Sequence, residues 1–275
     1  MKQNKVIAVW GNPNSGKTTT AIKLATYLAS KSKNVVLIHC DHVVPVLSTT
    51  MPFVDAGNKS LGDLLSSPSI TQESILEKMI LVEKEKHISV LSYLHGENER
   101  TYAKYSKERV IDLLILLKHL ADYVIIDCSS DVNHDILSRA SLEMSDQVIR
   151  LITPDLKALS FFDSTLPLIA ERKFNLQNHT KVISNAKEIM PKEHVASRFG
   201  ASFELAYAKE LETQFYEGEL FLGLHDKKSK PNKEGMDKLQ RFLFDEEDVP
   251  KKVKDRKKLK FKLPSIKKKA GDVNE

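Results

Sequence analysis

The chain has 275 residues, of which 41% are hydrophobic and 29% are charged, with a formal net charge of +5. A chain of this size can bury a large core, and we expect one α/β domain followed by a tail. No stretch approaches the roughly 20 apolar residues of a membrane-spanning helix, and the two cysteines, Cys40 and Cys128, do not indicate a disulfide framework or a metal site. These features favour a cytoplasmic protein.

The positive charge is concentrated near the end of the sequence. Residues 251–269 contain eleven of the 42 Lys and Arg residues and one acid, which leaves 31 basic and 36 acidic residues elsewhere, a net charge of −5. We therefore divide the chain into a mildly acidic domain, residues 1–248, and a basic tail, residues 249–275. Three interpretations of the tail stay open: it binds an anionic membrane at the inner face of the cell, it binds nucleic-acid phosphates, or it is solvated without a fixed partner.

The first apolar run is followed by a phosphate-binding motif. Val6 to Trp10 is a short β-branched run that predicts a buried strand, and Gly11 to Thr18 fits the pattern G-x-x-x-x-G-K-[ST]. Thr19 to Ala29 has helical spacing, so the loop lies between a strand and a helix, as phosphate binding requires. We expect nucleotide contacts from Gly11, Asn12, Asn14, Ser15, Gly16, Lys17, Thr18 and Thr19. The motif therefore predicts a nucleoside polyphosphate as ligand.

Strands and helices alternate through the rest of the domain. A strand at 35–38 runs to Asp41, and residues 42–60, with two prolines and a glycine, are interpreted as an active-site loop. Helices are predicted at 60–65, 71–79, 106–120, 134–144, after Pro154, and at 188–197, 208–216 and 233–244. Strands are predicted at 87–94, 123–127, 147–153 and 181–184. This alternation predicts a doubly wound, mostly parallel sheet with helices on both faces.

Two acids end strands of this sheet. Asp41 and Asp127 each follow a buried strand, and ligands of an open parallel sheet collect at the carboxyl ends of its strands. Two carboxylates there suit Mg²⁺, which prefers oxygen ligands and keeps several waters. The alternative for either residue alone is a turn or a helix cap.

Several segments carry a family resemblance. Besides the phosphate loop, they are Val-Val-Leu-Ile-His-Cys-Asp at 35–41, Ser-Leu-Gly-Asp-Leu-Leu at 60–65, Asp-Tyr-Val-Ile-Ile-Asp at 122–127, Thr-Pro-Asp at 153–155 and Val-Ile-Ser-Asn at 182–185. Over residues 5–190 the chain resembles the ParA/MinD group of SIMIBI-like P-loop ATPases. It resembles in particular the CpaE/TadZ-like branch, which is linked to pilus and secretion-system assembly.

The resemblance implies roles for individual residues. It implies ATP and Mg²⁺ as cofactors, Thr18, Asp41 and Asp127 as residues of the metal site, and Lys17 and Asp41 as catalytic residues, with Asp41 polarising the attacking water. It also implies that Asn185 contacts adenine, although an asparagine at the end of a strand is as often a turn former. Finally, it implies an ATP-dependent homodimer that works with a partner protein of a membrane-associated or DNA-associated machine.

Three departures from the family pattern affect turnover. Asn12 stands where a signature lysine often crosses to the partner subunit, His39 replaces the first acid of a D-x-D motif, and Cys128 to Asp131 replaces a segment with proline and glycine. We therefore expect ATP binding with slow hydrolysis. A non-hydrolysing nucleotide-binding scaffold stays open, as does a bacterial P-loop tyrosine kinase. That kinase class usually ends in a tyrosine cluster, whereas the last tyrosine here is Tyr216.

Overall fold

The computed structural model describes residues 5–244, which form a domain around one eight-stranded sheet. The strands are β1 (Lys5–Gly11), β2 (Val35–His39), β3 (Ile80–Leu81), β4 (Ile88–Ser92), β5 (Tyr123–Asp127), β6 (Gln147–Ile152), β7 (Thr180–Ala186) and β8 (Phe203–Ala206). Their order across the sheet is β3-β4-β2-β5-β1-β6-β7-β8. All neighbours are parallel except β3, which is antiparallel to β4. The tail predicted at 249–275 lies outside the described residues.

Helices cover both faces of the sheet. They are α1 (Lys17–Ser30), α2 (Leu47–Thr50), α3 (Leu61–Ser66), α4 (Gln72–Lys78), α5 (Lys107–Leu120), α6 (Ile136–Met144), α7 (Leu156–Thr165), α8 (Lys192–Phe199), α9 (Lys209–Glu217) and α10 (Lys230–Phe244). The predicted doubly wound, mostly parallel fold is confirmed. None of these helices is long and apolar enough to cross a membrane.

The central strand β1 shows why the core has two halves. Its side chains alternate between the faces: Val6, Ala8 and Trp10 pack with α3, α5, α6 and α7, while Ile7 and Val9 pack with α1 and α10. All five are fully buried. A strand covered on both sides must be apolar on both sides, which explains the continuous apolar run in the sequence.

The two edge strands were not predicted from the sequence. β3 has two residues, and β8, at 203–206, has one buried residue, Leu205, so neither gives a clear alternation of apolar and polar residues. The predicted active-site loop at 42–60 contains the short helix α2. Helix α8 begins at Lys192, after Pro191, and not at 188 as predicted.

Candidate functional site

The phosphate loop ends in a helix N-terminus that has no side-chain cap. Gly16 is the N-cap of α1 with a left-handed backbone (φ 79°), no side chain accepts hydrogen bonds from the first turn, and that turn contains no acid. A helix start of this kind presents backbone N–H groups and the positive end of the helix dipole. The geometry therefore fits an anion such as a phosphate.

The loop backbone is fixed by close packing. A side chain at Gly11 would collide with the Leu151 carbonyl oxygen and with the Ser15 hydroxyl, so only glycine fits at this position. The Ser184 hydroxyl donates to the Ser15 carbonyl (2.8 Å). The Ser15 hydroxyl itself is buried without a hydrogen-bond partner. A buried unpaired hydroxyl is costly, and a ligand with acceptor oxygens would satisfy it.

Lys17 lies at the centre of the site. Its ammonium donates to the Ser130 hydroxyl (2.6 Å) and lies 3.5 Å from the Asn12 carbonyl oxygen. Burial lowers the pKa of Lys17, while the nearby carboxylates of Asp127 and Asp41 oppose this shift. A desolvated ammonium beside a helix N-terminus favours binding of a polyanion.

Thr18, Asp127 and His39 form a chain of contacts beside the loop. The Thr18 hydroxyl donates to Asp127 Oδ2 (2.7 Å), and His39 Nδ1 lies 2.9 Å from the same oxygen. β2 and β5 are in register at His39 and Asp127, so the tips of neighbouring strands hold this pair. His39 is buried and its Nε2 has no hydrogen-bond partner.

The oxygen atoms of this chain of contacts suit Mg²⁺. A threonine hydroxyl and a carboxylate are hard ligands, and Mg²⁺ usually needs one or two protein ligands because phosphates and waters supply the others. Within residues 5–244, no group of three or more His, Cys, Asp and Glu side chains is arranged to hold a metal. Thr18 and Asp127 therefore fit a magnesium ion that arrives with a nucleotide.

Asp41 is in a different situation from Asp127. One of its carboxylate oxygens accepts hydrogen bonds from the backbone N–H groups of Val43 (3.0 Å) and Val44 (2.8 Å). The side chain is half-buried and lies close enough to oppose the lowering of the Lys17 pKa by burial. Its predicted contact with the attacking water stays a prediction.

The Asn12 side chain faces the protein. Its amide group donates to the Thr153 hydroxyl (2.9 Å) and to the Pro13 carbonyl oxygen (2.9 Å), and its oxygen accepts from the Thr153 N–H (3.1 Å). The residue is 3% exposed. Asn12 therefore ties the loop to the end of β6, and its backbone, not its side chain, is left to contact a nucleotide.

A cleft of about 480 Å³ extends from the phosphate loop towards the far edge of the sheet. Asn14 to Thr19 line one end, and Asn185, with a left-handed backbone (φ 52°), lines the middle. The other end is formed by β8, α9 and α10, through residues that include Tyr207, Leu211, Phe215, Tyr216 and Met236. This second end was not predicted from the sequence, because its residues belong to no motif.

Trp10 connects the loop to the segment that carries Ser130. It is the only tryptophan of the chain and it is fully buried. Its indole N–H donates to the Ser130 carbonyl oxygen (3.4 Å), and the Arg150 guanidinium lies 5.8 Å from its ring centre. The indole therefore contacts the residue whose hydroxyl holds Lys17.

Cys40 and Cys128 are buried free thiols that directly follow His39 and Asp127. Burial raises the pKa of Cys40 well above its usual range. A thiol in that state is a poor nucleophile and metal ligand.

Comparison with known proteins identifies the family. The model of a family described as AAA domain matches residues 4–182. The chain belongs to this AAA domain family. The septum site-determining protein MinD of Synechocystis is 27% identical to the chain over 167 residues, which are 60% of this chain and 59% of that protein. The chain therefore matches about three fifths of the length of this relative.

Solved structures share the fold of this AAA domain protein. A ParA family ATPase from Chlorobium tepidum has a TM-score of 0.71 at 16% identity, covering 88% of this chain and 100% of that one. MinD from Pyrococcus horikoshii, solved in complex with Mg-ADP, has a TM-score of 0.66 at 14% identity, covering 90% and 99%. The predicted ParA/MinD-type P-loop ATPase family and its fold are confirmed, while the CpaE/TadZ-like branch stays a prediction.

Proposed function

We propose that this protein binds ATP together with Mg²⁺ in the cleft and hydrolyses the ATP slowly. The observation that carries the proposal is the uncapped start of α1, where the Thr18 hydroxyl lies 2.7 Å from the Asp127 carboxylate. A site for phosphate and a pair of metal-ligand oxygens lie side by side. The Pyrococcus horikoshii MinD, which shares this fold, was solved in complex with Mg-ADP, and this supports the assignment.

We assign a separate role to each residue of the site. The backbone N–H groups of the loop and the Lys17 ammonium bind and orient the phosphates, and the Ser15 hydroxyl donates to a phosphate oxygen. Thr18 and Asp127 would hold Mg²⁺, directly or through water, and His39 keeps the Asp127 carboxylate in place. Bound Mg²⁺ would neutralise the charge of the phosphates. Asp41 orients the attacking water. We attribute slow turnover to His39, which replaces an acid of the family pattern, and to residues 128–131, which lack its proline and glycine.

Calorimetry with ATP tests the binding site. We expect heat of binding with ATP and Mg²⁺, a weaker interaction in EDTA, and affinity reduced about a hundredfold or more by Lys17→Ala, because the phosphates lose a buried cation. Lys86→Ala is the matched control, since Lys86 is exposed between β3 and β4. Wild-type protein that gives no heat at millimolar ATP with Mg²⁺ contradicts the proposal.

We further propose that ATP drives the formation of a homodimer, which recruits a partner protein of a membrane-associated or DNA-associated machine. The machine would be a pilus, secretion or conjugation apparatus, or the apparatus that partitions DNA. The names of the Synechocystis and Chlorobium tepidum proteins, septum site-determining protein and ParA family ATPase, support a positioning role of this kind.

Light scattering after size exclusion tests this switch. We expect a monomer in ADP and a dimer in ATP or a non-hydrolysable analogue, even though the Asn12 side chain is occupied by Thr153. Identical profiles in all three nucleotides contradict the switch. A dimer without measurable phosphate release would instead indicate the non-hydrolysing scaffold. Pelleting with anionic vesicles or DNA, with and without residues 249–275, tests the proposed tail contacts and a location at the membrane.

A further inference from the structure

One buried lysine outside the phosphate motif has an unusual environment. Lys23 lies in the middle of α1 and is 8% exposed. Its ammonium donates to the Gln214 side-chain oxygen (2.8 Å), the Leu220 carbonyl (2.6 Å) and the Leu222 carbonyl (2.5 Å). A lysine has three N–H donors, so each of them has an acceptor.

The three acceptors belong to one region of the chain. Gln214 lies in α9, and Leu220 and Leu222 lie in the loop that follows α9. The Gln214 amide also donates to the Gly223 carbonyl (2.9 Å), so this side chain joins Lys23 to a further residue of the loop. Lys23 therefore connects α1 to α9 and the loop that follows it.

Stability alone is a weak reason for burying this charge. Desolvation lowers the pKa of Lys23 to about 8, with the Glu210 carboxylate opposing the shift. A buried charge is costly even when it is hydrogen-bonded, and an apolar side chain of the same length would fill the space at lower cost. A buried cation with three directed bonds does fix a single arrangement of its neighbours, which an apolar contact does not.

The arrangement that Lys23 fixes is one wall of the cleft. Leu211, Glu212, Phe215 and Tyr216 of α9 line the same cleft as Thr18 to Thr20. The aromatic and aliphatic side chains suit a flat ring and not a phosphate. The helix that begins at the phosphate loop thus also holds, through Lys23 and Gln214, a wall of the cleft whose side chains suit a base.

We propose that Lys23 is a positioning residue that sets the distance between the base-binding wall on α9 and the phosphate-binding end of α1. This inference rests on the proposed function, since the spacing matters only if a nucleotide binds between the two. Lys23 does not contact the nucleotide. Through the wall on α9, Lys23 affects binding of the nucleoside part of ATP. Binding of the phosphates by the loop does not depend on it.

Calorimetry with two ligands separates these effects. For Lys23→Met, we expect affinity for ATP with Mg²⁺ to fall about tenfold, while affinity for inorganic triphosphate with Mg²⁺ stays within about twofold of wild type. Gln214→Met removes the partner on α9 without changing α1, and we expect the same pattern with a smaller loss. Lys86→Met is the control at an exposed lysine and changes neither affinity.

The outcomes are distinguishable. Unchanged ATP affinity in Lys23→Met, or an equal loss of affinity for ATP and triphosphate, overturns the positioning role. The proposed function still stands in that case if the wild-type protein binds ATP. Wild-type protein that binds neither ligand overturns both. If Lys23→Met does not fold, as judged by circular dichroism, Gln214→Met decides by the same criterion.

Discussion

The two ends of the cleft are built in different ways. Most of the lining of the phosphate end comes from consecutive residues, 14–20, in one loop and one helix, while Ser130 and Asp127 contact Lys17 and Thr18 from elsewhere in the chain. The proposed base end is assembled from Asn185 and from residues of β8, α9, α10 and the segment between β8 and α9, spread over 205–236. A local motif specifies most of the residues that line the first end, whereas packing between distant elements specifies those that line the second. The same substitution should therefore have different consequences at the two ends.

Gly11→Ala tests the phosphate end and should have the largest effect. The new methyl group would collide with the Leu151 carbonyl oxygen and the Ser15 hydroxyl, so β1, β6 and the loop must shift. We expect a loss of about 3 kcal/mol in the free energy of unfolding and loss of binding to both ATP and triphosphate. Urea denaturation and calorimetry measure these effects.

Gly223→Ala is the matched control for this substitution. A methyl group there would make only ordinary contacts with the His225 ring, so the free energy of unfolding should change by less than about 0.5 kcal/mol. A Gly11→Ala protein that binds triphosphate normally would show that the loop does not need its close contact with β6.

Gly235→Ala tests the base end and should have a smaller effect. The methyl group would meet the Glu204 carbonyl oxygen and push α10, which carries Met236, away from β8. Alanine also improves helix propensity, so we expect a net loss of stability of about 1–2 kcal/mol. ATP affinity should fall about tenfold while triphosphate affinity is kept. Equal losses for both ligands in calorimetry would show that the two ends are not independent.

The same contrast explains what the sequence could predict. The strand and helix around the phosphate loop were predicted from a continuous apolar run and from helical spacing, because both are local patterns. The contact of Asn12 with Thr153, 141 positions away, and the role of Lys23 in holding Leu220 depend on which elements pack together. Asn185 was predicted as an adenine contact from the family resemblance, and this stays a prediction. The short edge strand β8 has no clear pattern of its own, so the part of the cleft formed by β8, α9 and α10 was visible only in the structure.

The pH dependence of stability should be no larger than the effect of Gly235→Ala on stability and should leave the cleft itself unchanged. The pKa of Lys23 is about 8 in the folded protein and 10.5 for an unperturbed lysine, so between these values the unfolded chain binds more protons. The penalty for a buried charged lysine is therefore full below pH 8 and is relieved as the pH rises towards 10.5. From pH 7.5 to 9.5, this lysine should add about 1–2 kcal/mol to the free energy of unfolding.

Urea denaturation of wild type and Lys23→Met at both pH values isolates this contribution. The other ionisable groups are the same in both proteins, so their contributions cancel when the change in the free energy of unfolding with pH is compared between wild type and Lys23→Met. A Lys23→Met protein with the same pH slope as wild type would show that Lys23 titrates normally, and that Glu210 offsets its burial.

The position of Trp10 gives this protein an optical reporter. Since the chain has one tryptophan, all indole emission comes from a single place, where the ring N–H bonds to the carbonyl of the residue that holds Lys17. We expect movement of Lys17 or of residues 128–131 to change the surroundings of that ring. Stopped-flow fluorescence of the unlabelled protein can therefore follow nucleotide arrival and release in real time.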